Sequence, residues 1–420
     1  MGSLHAAVYR PPSASMASRR HRKPCAYSAF VPDRLADLDI LLPGDVTADL
    51  ADAERDVVRL NLGHPGAEEL ESLARVLLRA EAVASSRIEG LTVGHRRLMR
   101  HEAAQQSGVA LADVTAEAVL GNVAAMQAAV ELAVKPGPLD LDDVVTIHRV
   151  LMEHSDHPEW AGVVRAEQNW IRGQTPCVAE YVPPPHEALP ALLEDLCAFL
   201  NSEDLPPLAH AALVHAQFET IHPFLDGNGR AGRALIHVVL RRRGLTPSYV
   251  PPISLALATA SADYIAGLTA FRHVGSPESS EARAGVAEWL ATVATATRRA
   301  CAEAEHLAAG LAELQANWRE AVRPRRNSAA DLLLRLLGRA PVLTAGTAAA
   351  LVDRSTVATG KAIDQLVAAG VLQQVTVGKR NRAYEAPDVF ALLVDYERAL
   401  ASPTGDPLSD PPVRSAPAQR

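Results

Sequence analysis

The chain has 420 residues, which is more than one ordinary domain holds, so we expect two or three domains. Hydrophobic residues make up 48% and charged residues 21%, as is typical of a globular protein with a large core. The formal net charge of −8 argues against a protein that coats nucleic acid with its whole surface. No run of about 18 apolar residues occurs, so we expect no transmembrane helix and no membrane partner. Only 4 of the 41 basic residues are lysines, a bias typical of GC-rich bacterial genomes.

The N-terminal 24 residues carry five basic residues and no acidic one. They lack the apolar segment of a secretion signal, so we predict a disordered basic arm over 1–24. The four cysteines are far apart and form no CxxC pair, which predicts reduced, unpaired thiols in a cytoplasmic protein. They are Cys25, Cys177, Cys197 and Cys301.

The first half of the chain has a mostly helical pattern. Apolar residues recur at intervals of three and four in five segments, and Gly90 follows the first segment as a glycine often follows a helix end. The predicted helices cover 67–87, 112–132, 141–153, 187–201 and 207–221. Residues 160–184 differ, because aromatic and β-branched residues alternate there with glycine and proline. That pattern predicts a short β-hairpin or flap.

The second half predicts a change of architecture at the proline- and arginine-rich stretch 323–326. Before it, one helix continues to Arg243 and a long helix covers 280–322. After it, three short helices precede two short strands within 371–384. The three helices lie near 328–338, 344–351 and 355–369. Three helices followed by a strand pair are typical of a winged-helix domain.

The segment His222-Pro-Phe-Leu-Asp-Gly-Asn-Gly-Arg-Ala-Gly-Arg233 carries the chemistry of the chain. Its glycines let backbone N–H groups approach an anion at the N-terminus of the following helix. Arg230 and Arg233 lie three residues apart and suit phosphate oxygens. Asp226 suits a Mg²⁺ ion that bridges phosphates, and His222 can accept a proton near neutral pH. Together these groups predict phosphoryl or nucleotidyl transfer.

Two other nucleotide-binding patterns do not apply. Gly227, Gly229 and Gly232 have the spacing of the dinucleotide fingerprint, but that fingerprint follows a β-strand and needs an acid about 20 residues later. Here a predicted helix precedes the glycines, and the residues around position 250 contain two prolines and no acid. The Walker A pattern is absent as well, since no glycine-rich loop continues into Gly-Lys-Ser or Gly-Lys-Thr.

Residues 222–233 match all nine specified positions of HPFx(D/E)GNGRxxR, so the chain resembles the Fic (Fic/Doc) family. The resemblance implies transfer of AMP from ATP, with Mg²⁺, to a serine, threonine or tyrosine hydroxyl of a target protein. It implies that His222 deprotonates the hydroxyl, Phe224 anchors the loop and Asp226 holds Mg²⁺. The residues implied to bind the phosphates are Gly227, Asn228, Gly229, Arg230 and Arg233. Family members that phosphorylate carry lysine in place of Gly229, so the glycine favours AMP transfer.

The segment 168–173 and the Val182-Pro-Pro-Pro185 run resemble the family's flap, which binds the target segment by β-strand addition. The flap residues implied to act are Trp170, Ile171, Arg172 and Gly173. Arg172 departs from the family, where a glycine is more usual, and this puts the mode of target docking in doubt.

The segment Ser85-Ser-Arg-Ile-Glu-Gly90 resembles the family's inhibitory motif, (S/T)xxxE(G/N). The resemblance implies that Ser85 and Glu89 belong to an inhibitory helix. Glu89 would pair with Arg233 and take the place of the γ-phosphate, so that ATP binds unproductively. In some family members the equivalent glutamate supports removal of AMP, which stays an alternative activity for this chain.

The predicted winged-helix segment offers a second kind of function. Residues 325–400 contain 10 Lys+Arg and 7 Asp+Glu, a net charge of +3 in a chain of −8. The basic and hydroxyl residues expected to contact DNA are Arg354, Thr356, Lys361, Lys379, Arg380 and Arg382. Winged helices also bind proteins and form dimers, so the sequence leaves DNA, a protein partner and a homodimer as alternatives.

These features predict a mainly α protein, with a Fic-type helical bundle, a short β-hairpin flap and a C-terminal winged-helix domain. The predicted segments are a disordered basic arm (1–24), an N-terminal segment with the inhibitory helix (25–110), a catalytic core (111–275), a helical connector (276–324), a winged-helix domain (325–400) and a disordered tail (401–420). The predicted function is auto-inhibited AMP transfer to protein. A DNA-binding regulator whose Fic site senses nucleotide is the alternative from another class.

Overall fold

The computed structural model describes residues 2–11, 23–62, 67–109, 111–377 and 381–401, and these residues are mainly helical. The helices are α1 (Gly44–Leu62), α2 (Ala67–Ile88), α3 (His95–Gln106), α4 (Val114–Leu132), α5 (Leu141–Met152), α6 (Leu189–Leu200), α7 (Pro207–Ile221), α8 (Asn228–Arg242), α9 (Ile253–Thr259), α10 (Ser261–Phe271), α11 (Ser280–Val322), α12 (Ala329–Leu336), α13 (Ala345–Val352), α14 (Thr356–Ala368) and α15 (Pro387–Ala401). The strands are β1 (Gly2–Tyr9), β2 (Cys25–Pro32), β3 (Val342–Leu343), β4 (Gln373–Val377) and β5 (Asn381–Glu385).

All helices predicted from the sequence are confirmed, with ends that differ by a few residues. Five further helices, α1, α3, α9, α10 and α15, lie where the hydrophobic pattern predicted none. Among the described helices, no single one has both the length and the apolar character needed to cross a bilayer. The consecutive helices α9 and α10 would meet that requirement only as a pair, by length and composition.

The chain divides into two compact units, each assembled from distant stretches of sequence. Unit 1 contains Met1–Glu54, Ala124–Leu245 and Ala260–Thr295, and unit 2 contains Arg55–Val123, Thr246–Thr259 and Ala296–Arg420. The segments predicted from the sequence run consecutively along the chain, so their boundaries do not coincide with those of the units. Contacts between residues far apart in sequence define a unit, and composition along the chain does not reveal them.

The core of unit 1 is built around α7 and α8. Every residue of α7 after its first is buried, and α8 is buried from its first residue to Leu240. Gly232 lets the two helices approach closely, since a Cβ there would lie 2.9 Å from the Phe218 ring and 3.0 Å from His215 Nδ1. The Trp289 indole donates to the carbonyl of Ala212 at 2.8 Å. This packing holds both ends of the loop that joins α7 to α8.

The N-terminus of unit 1 forms a two-stranded antiparallel ribbon, β1 with β2. Gly2 pairs with Pro32 and Tyr9 pairs with Cys25. The predicted disorder of 1–24 is therefore wrong for residues 2–9, because the partner strand lies too far along the chain for local composition to reveal it. Residues 12–22 of the arm and 402–420 of the predicted tail lie outside the described residues.

Cys25 and Cys177 form a disulfide, so the prediction of four unpaired thiols is wrong for this pair. The two cysteines are 152 residues apart, and no sequence spacing signals such a bond. Cys197 and Cys301 are free thiols. Burial is the main cause that raises the pKa of Cys197 to about 11 and that of Cys301 to about 12, so both stay protonated near neutral pH.

Unit 2 joins α2 and α3 to the C-terminal helix α15 through ion pairs. The Glu397 carboxylate accepts from Arg87 at 2.7 Å and lies 2.9 Å from His95 Nε2. Burial would raise the pKa of Glu397, but His95 and Arg87 outweigh it and lower the pKa to about 2. Nearby, Arg100 pairs with the fully buried carboxylate of Glu385 at 2.7 Å.

From α12 onward, unit 2 contains, in chain order, α12, β3, α13, α14 and the paired strands β4 and β5. Its three strands form one antiparallel sheet in the order β3-β5-β4. Hydroxyl residues cap its helices: Ser328 caps α12, Thr344 caps α13 and Ser355 caps α14, each accepting a backbone N–H three residues later. Asp353, in a left-handed conformation, ends α13 and separates it from α14 by a short turn.

Candidate functional site

The loop between α7 and α8 begins at a strained residue. His222 has φ 50°, and its N–H donates to the carbonyl of Phe218. A left-handed backbone costs a non-glycine residue about 1–2 kcal/mol, so the surroundings must hold it. The buried Arg165 does so: its Nε donates to the His222 carbonyl at 3.0 Å, and its other nitrogens donate to the carbonyls of Glu167 and Pro184. Burial lowers the pKa of Arg165 to about 10, which leaves it a cation near neutral pH.

The middle of the loop is held by Phe224 and His148. The Phe224 ring is fully buried and stacks on the His148 ring, with 3.6 Å between centroids. His148 Nε2 donates to the carbonyl of Asp226 at 2.9 Å, and its Nδ1 accepts the N–H of Gly162 at 3.0 Å. These two bonds require the neutral imidazole, and burial indeed lowers the pKa of His148 to about 4. The Asn228 side chain accepts from the N–H of Phe224 and donates to its carbonyl.

The end of the loop forms an anion-binding turn. Gly227 precedes α8 with φ 77°, and a Cβ there would lie 3.1 Å from His148 Nε2, so both backbone and space favour glycine. Because α8 begins at Asn228, the N–H groups of its first turn have no acceptor within the helix. They point from the helix N-terminus and suit a phosphate.

Two arginines and one carboxylate surround this turn. Arg230 Nη2 lies 3.2 Å from Asp226 Oδ2, and Arg233 Nη1 lies 3.4 Å from the hydroxyl of Tyr264. Both guanidinium groups are buried, whereas 57% of the Asp226 side chain is exposed. Among the described residues no three His, Cys, Asp or Glu side chains form a metal cage. One exposed carboxylate beside a phosphate-binding turn nevertheless fits Mg²⁺, which commonly takes one protein carboxylate plus phosphate oxygens and water.

Glu219 lies one helical turn before His222 and faces it. The distance from Glu219 Oε2 to His222 Nδ1 is 3.7 Å, and both side chains are largely buried. Burial would raise the pKa of Glu219, but His222, His215 and Arg233 outweigh it and lower the pKa to about 2. An ionised carboxylate beside Nδ1 favours the proton on that nitrogen, which leaves Nε2 of His222 to accept one.

The predicted flap, residues 168–185, is less regular than a β-hairpin. One bridge, between Ile171 and Tyr181, joins its two arms. Arg172 has φ 56° and Gly173 has φ 82°. The left-handed backbone at Arg172 is the physical reason why glycine suits this position, and here arginine bears the strain. Trp170 is half-buried and donates its indole N–H to the carbonyl of Gly173 at 3.1 Å.

The predicted inhibitory residues lie in unit 2, at the end of α2. Ser85 is buried in the last turn of the helix, and Glu89 follows the helix and is exposed. Gly90, with φ 83°, ends the helix as predicted, and the N–H of Leu91 donates back to the carbonyl of Ser86 at 3.0 Å.

Four of the residues predicted to contact DNA are described, and all four are exposed. Arg354, Thr356 and Lys361 lie in the turn before α14 and on its first half, and Arg382 lies on β5. The other two, Lys379 and Arg380, lie outside the described residues.

Four residues that shape the loop from outside it were not predicted as site residues. Asn169, which directly precedes the predicted flap residue Trp170, donates to the carbonyl of Phe224 at 2.9 Å. Only Glu219 had a signal in the sequence, its place one helical turn before a candidate base. The missed residues are His148, Arg165, Asn169 and Glu219.

Comparison with known proteins identifies two family regions in this chain. Residues 138–240 match the model of the Fic/DOC family, and residues 47–131 match the model of the Fic/DOC family N-terminal region. The first match contains the whole loop between α7 and α8.

Curated relatives share part of this chain. A protein adenylyltransferase of Caenorhabditis elegans is 33% identical over 133 residues, which are 31% of this chain and 23% of that protein. A protein adenylyltransferase of Nematostella vectensis is 37% identical over 116 residues, 27% of this chain and 25% of that protein. The chain thus spans about a quarter of the length of these relatives. A Fic family protein of Desulfovibrio desulfuricans has the same fold, with a TM-score of 0.51 at 19% identity over 83% of this chain and 98% of that one.

Proposed function

We propose that this Fic-domain protein is a protein adenylyltransferase that transfers AMP from ATP to a hydroxyl of a target protein. The observation that carries the proposal is the segment His222 to Arg233, which comprises the loop between α7 and α8 and the start of α8. Within twelve residues it holds a proton acceptor, an anion-binding helix N-terminus, a carboxylate and two buried arginines. The names of the curated relatives support the same chemistry.

In this proposal the protein holds the reactants and moves one proton. His222 accepts the proton of the target hydroxyl at Nε2, while Glu219 keeps Nδ1 protonated. The hydroxyl oxygen attacks the α-phosphorus, the bond from that phosphorus to the bridging oxygen breaks, and pyrophosphate leaves. The N–H groups at the start of α8, with Arg230 and Arg233, bind the phosphates and stabilise the charge that develops on them. Asp226 would hold Mg²⁺, which when bound neutralises phosphate charge.

The Ser85–Glu89 segment is proposed to inhibit this reaction. Its support is the motif Ser85-Ser-Arg-Ile-Glu89-Gly90, which lies at the end of α2. The ion pairs of Arg87 and His95 with Glu397 hold this end of α2 within unit 2. Removal of AMP stays the alternative activity of the same residues.

Glu89→Gly should raise the labelling of lysate proteins by labelled ATP and Mg²⁺ several-fold, because the competing carboxylate is lost. Mass spectrometry of the labelled proteins reports the transferred group, which should be AMP. The matched control is Glu153→Gly, since Glu153 is also an exposed glutamate that directly follows a helix. If neither the wild type nor Glu89→Gly labels any protein, the adenylyltransferase proposal is wrong.

We propose further that the C-terminal elements of unit 2 form a winged-helix domain that binds DNA. The support is the order of its elements, with the β3-β5-β4 sheet, and the exposed basic residues at the start of α14. Arg354→Ala and Lys361→Ala should each weaken binding to duplex DNA and lower the slope of log K against log salt by roughly 1. Arg325→Ala, an exposed arginine of the same unit, is the control. No binding by the wild type at low salt would leave protein docking or homodimer formation as the function of this domain.

A further inference from the structure

The N-terminal ribbon of β1 and β2, here called the brace, is attached to both arms of the flap. On the first arm, the Tyr9 ring meets the Trp170 ring edge to face, with 5.8 Å between centroids. On the return arm, Cys177 is bonded to Cys25 of β2. The N–H of Phe30 donates to the carbonyl of Val182 at 2.9 Å, which adds a third attachment. All of these residues belong to unit 1.

The base of the flap is well held without the brace. The Tyr181 hydroxyl donates to the carbonyl of Thr220 at 2.8 Å, and the Arg272 guanidinium lies 3.8 Å from the centre of the Tyr181 ring. Gln168 Nε2 donates to the carbonyl of Pro183 at 2.9 Å and so joins the two arms at their base. These contacts fix the flap where it leaves the core.

The tip of the flap has much weaker support of its own. The backbone bonds between its arms are those of Ile171 with Glu180 and Tyr181, and an isolated hairpin is at best marginally stable in water. The ion pair of Arg172 with Glu180 joins two side chains that are each 60% exposed, so it contributes little. Arg172 has a left-handed backbone, which costs a non-glycine residue free energy and so destabilises the observed conformation of the tip. The brace therefore supplies a large part of the order at the tip.

We propose that the brace holds the flap in the shape that receives an extended segment of the target protein, and that the Cys25–Cys177 disulfide makes this docking surface redox-sensitive. The proposal rests on the adenylyltransferase function. A strand that binds by main-chain hydrogen bonds gains affinity when its acceptor is already ordered, because less conformational entropy is lost on binding. Opening the disulfide would remove the covalent attachment between brace and flap and leave the ring contact of Tyr9 with Trp170 and the hydrogen bond from Phe30 to Val182.

The redox step needs a dithiol reductant, whose two thiols give up two electrons and two protons. The sulfur–sulfur bond between Cys25 and Cys177 breaks, each cysteine becomes a thiol, and the reductant forms a disulfide of its own. Both cysteines are half-buried, so a thiolate can reach them. In the predicted cytoplasm, cellular dithiols would keep the brace open, and oxidation would close it.

The first test measures the flap without any target. The full chain is compared, oxidised and after treatment with dithiothreitol, by hydrogen exchange of its backbone amides. Exchange in peptides from 168–182 should become about tenfold faster after reduction, whereas exchange in α8 should not change. Oxidised Cys25→Ser should behave as the reduced wild type, and Cys197→Ser, which removes a free thiol of the same unit, should behave as the oxidised wild type. Equal exchange at 168–182 in the oxidised and reduced wild type would overturn the proposal.

The second test measures docking. In the Glu89→Gly background, reduction or the added Cys25→Ser substitution should lower the labelling of lysate proteins by labelled ATP about tenfold while the affinity for ATP stays the same. Unchanged labelling after reduction would contradict the proposed link between brace and docking. If no form labels any protein but exchange at 168–182 still responds to reduction, the adenylyltransferase function fails and the brace stands.

Discussion

His222→Ala and His222→Asn should each lower AMP transfer to target proteins by roughly 10²–10⁴-fold, because each removes the proposed acceptor of the hydroxyl proton. Two variants are needed because His222 has a left-handed backbone. Asparagine tolerates that conformation better than alanine does, so His222→Asn separates the loss of the base from backbone strain. The rate of AMP transfer is measured in the Glu89→Gly background, so that the signal is large enough to follow.

Affinity for ATP is the control for this prediction. The phosphates are proposed to bind to the first turn of α8 and to its arginines, so both His222 variants should bind ATP as the wild type does. Thermal unfolding is measured as well, and a small decrease in stability is expected for His222→Asn because the buried Glu219 carboxylate loses a partner. If His222→Asn keeps more than about a tenth of the wild-type rate, His222 is not the base, and the proposed mechanism is wrong.

Glu219→Gln should lower kcat at least about tenfold and leave the KM for ATP unchanged. The carboxylate lies 3.7 Å from His222 Nδ1 and favours the tautomer in which Nε2 can accept a proton. A glutamine amide can meet Nδ1 with its N–H group or its oxygen, so the orientation of the imidazole is no longer imposed. Glu203→Gln changes an exposed glutamate of the same unit and should have no effect. A wild-type kcat in Glu219→Gln would show that Glu219 only supports the fold.

The same substitution should change how stability depends on pH. The pKa of Glu219 in the folded protein is about 2, below the value of about 4.3 expected in the unfolded chain. A carboxyl with a lowered pKa stabilises the fold fully above its unfolded pKa, and this stabilisation is lost as the pH falls toward the folded pKa. The difference corresponds to about 3 kcal/mol, lost between about pH 5 and pH 2. The unfolding free energy of Glu219→Gln, measured with urea, should fall less steeply over this range, whereas that of Glu203→Gln should follow the wild type.

These predictions concern residues of the loop between α7 and α8 and residues that hold this loop in place. The loop residues are identified by their order along the chain, since a helix end, two glycines and a helix start must follow one another to make the anion-binding turn. The residues that hold the loop come from elsewhere in unit 1. His148 lies on α5, Arg165 lies before the flap and Asn169 lies within it. Each forms hydrogen bonds with the loop's backbone, and backbone contacts leave no pattern in a sequence.

The sequence by itself predicted the helices α4 to α8, the set of functional side chains in His222 to Arg233, and the order of α12, α13, α14, β4 and β5 after Arg326. These properties are local: they follow from hydrophobic spacing, from glycine and proline, and from side chains held within one or two turns of helix.

Only the tertiary structure decided that residues 2–9 form a strand, that Cys25 is bonded to Cys177 and that Glu219 faces His222. It also decided that Arg172 of the flap has a left-handed backbone. Pairing of β1 with β2 depends on residues 16 to 30 positions away, and formation of the disulfide depends on a residue 152 positions away. The free energy that favours such contacts comes from partners that the local sequence does not contain, so composition predicted a disordered arm and four thiols in their place. The flap was recognised from its residues, but what holds it in place became visible only in three dimensions.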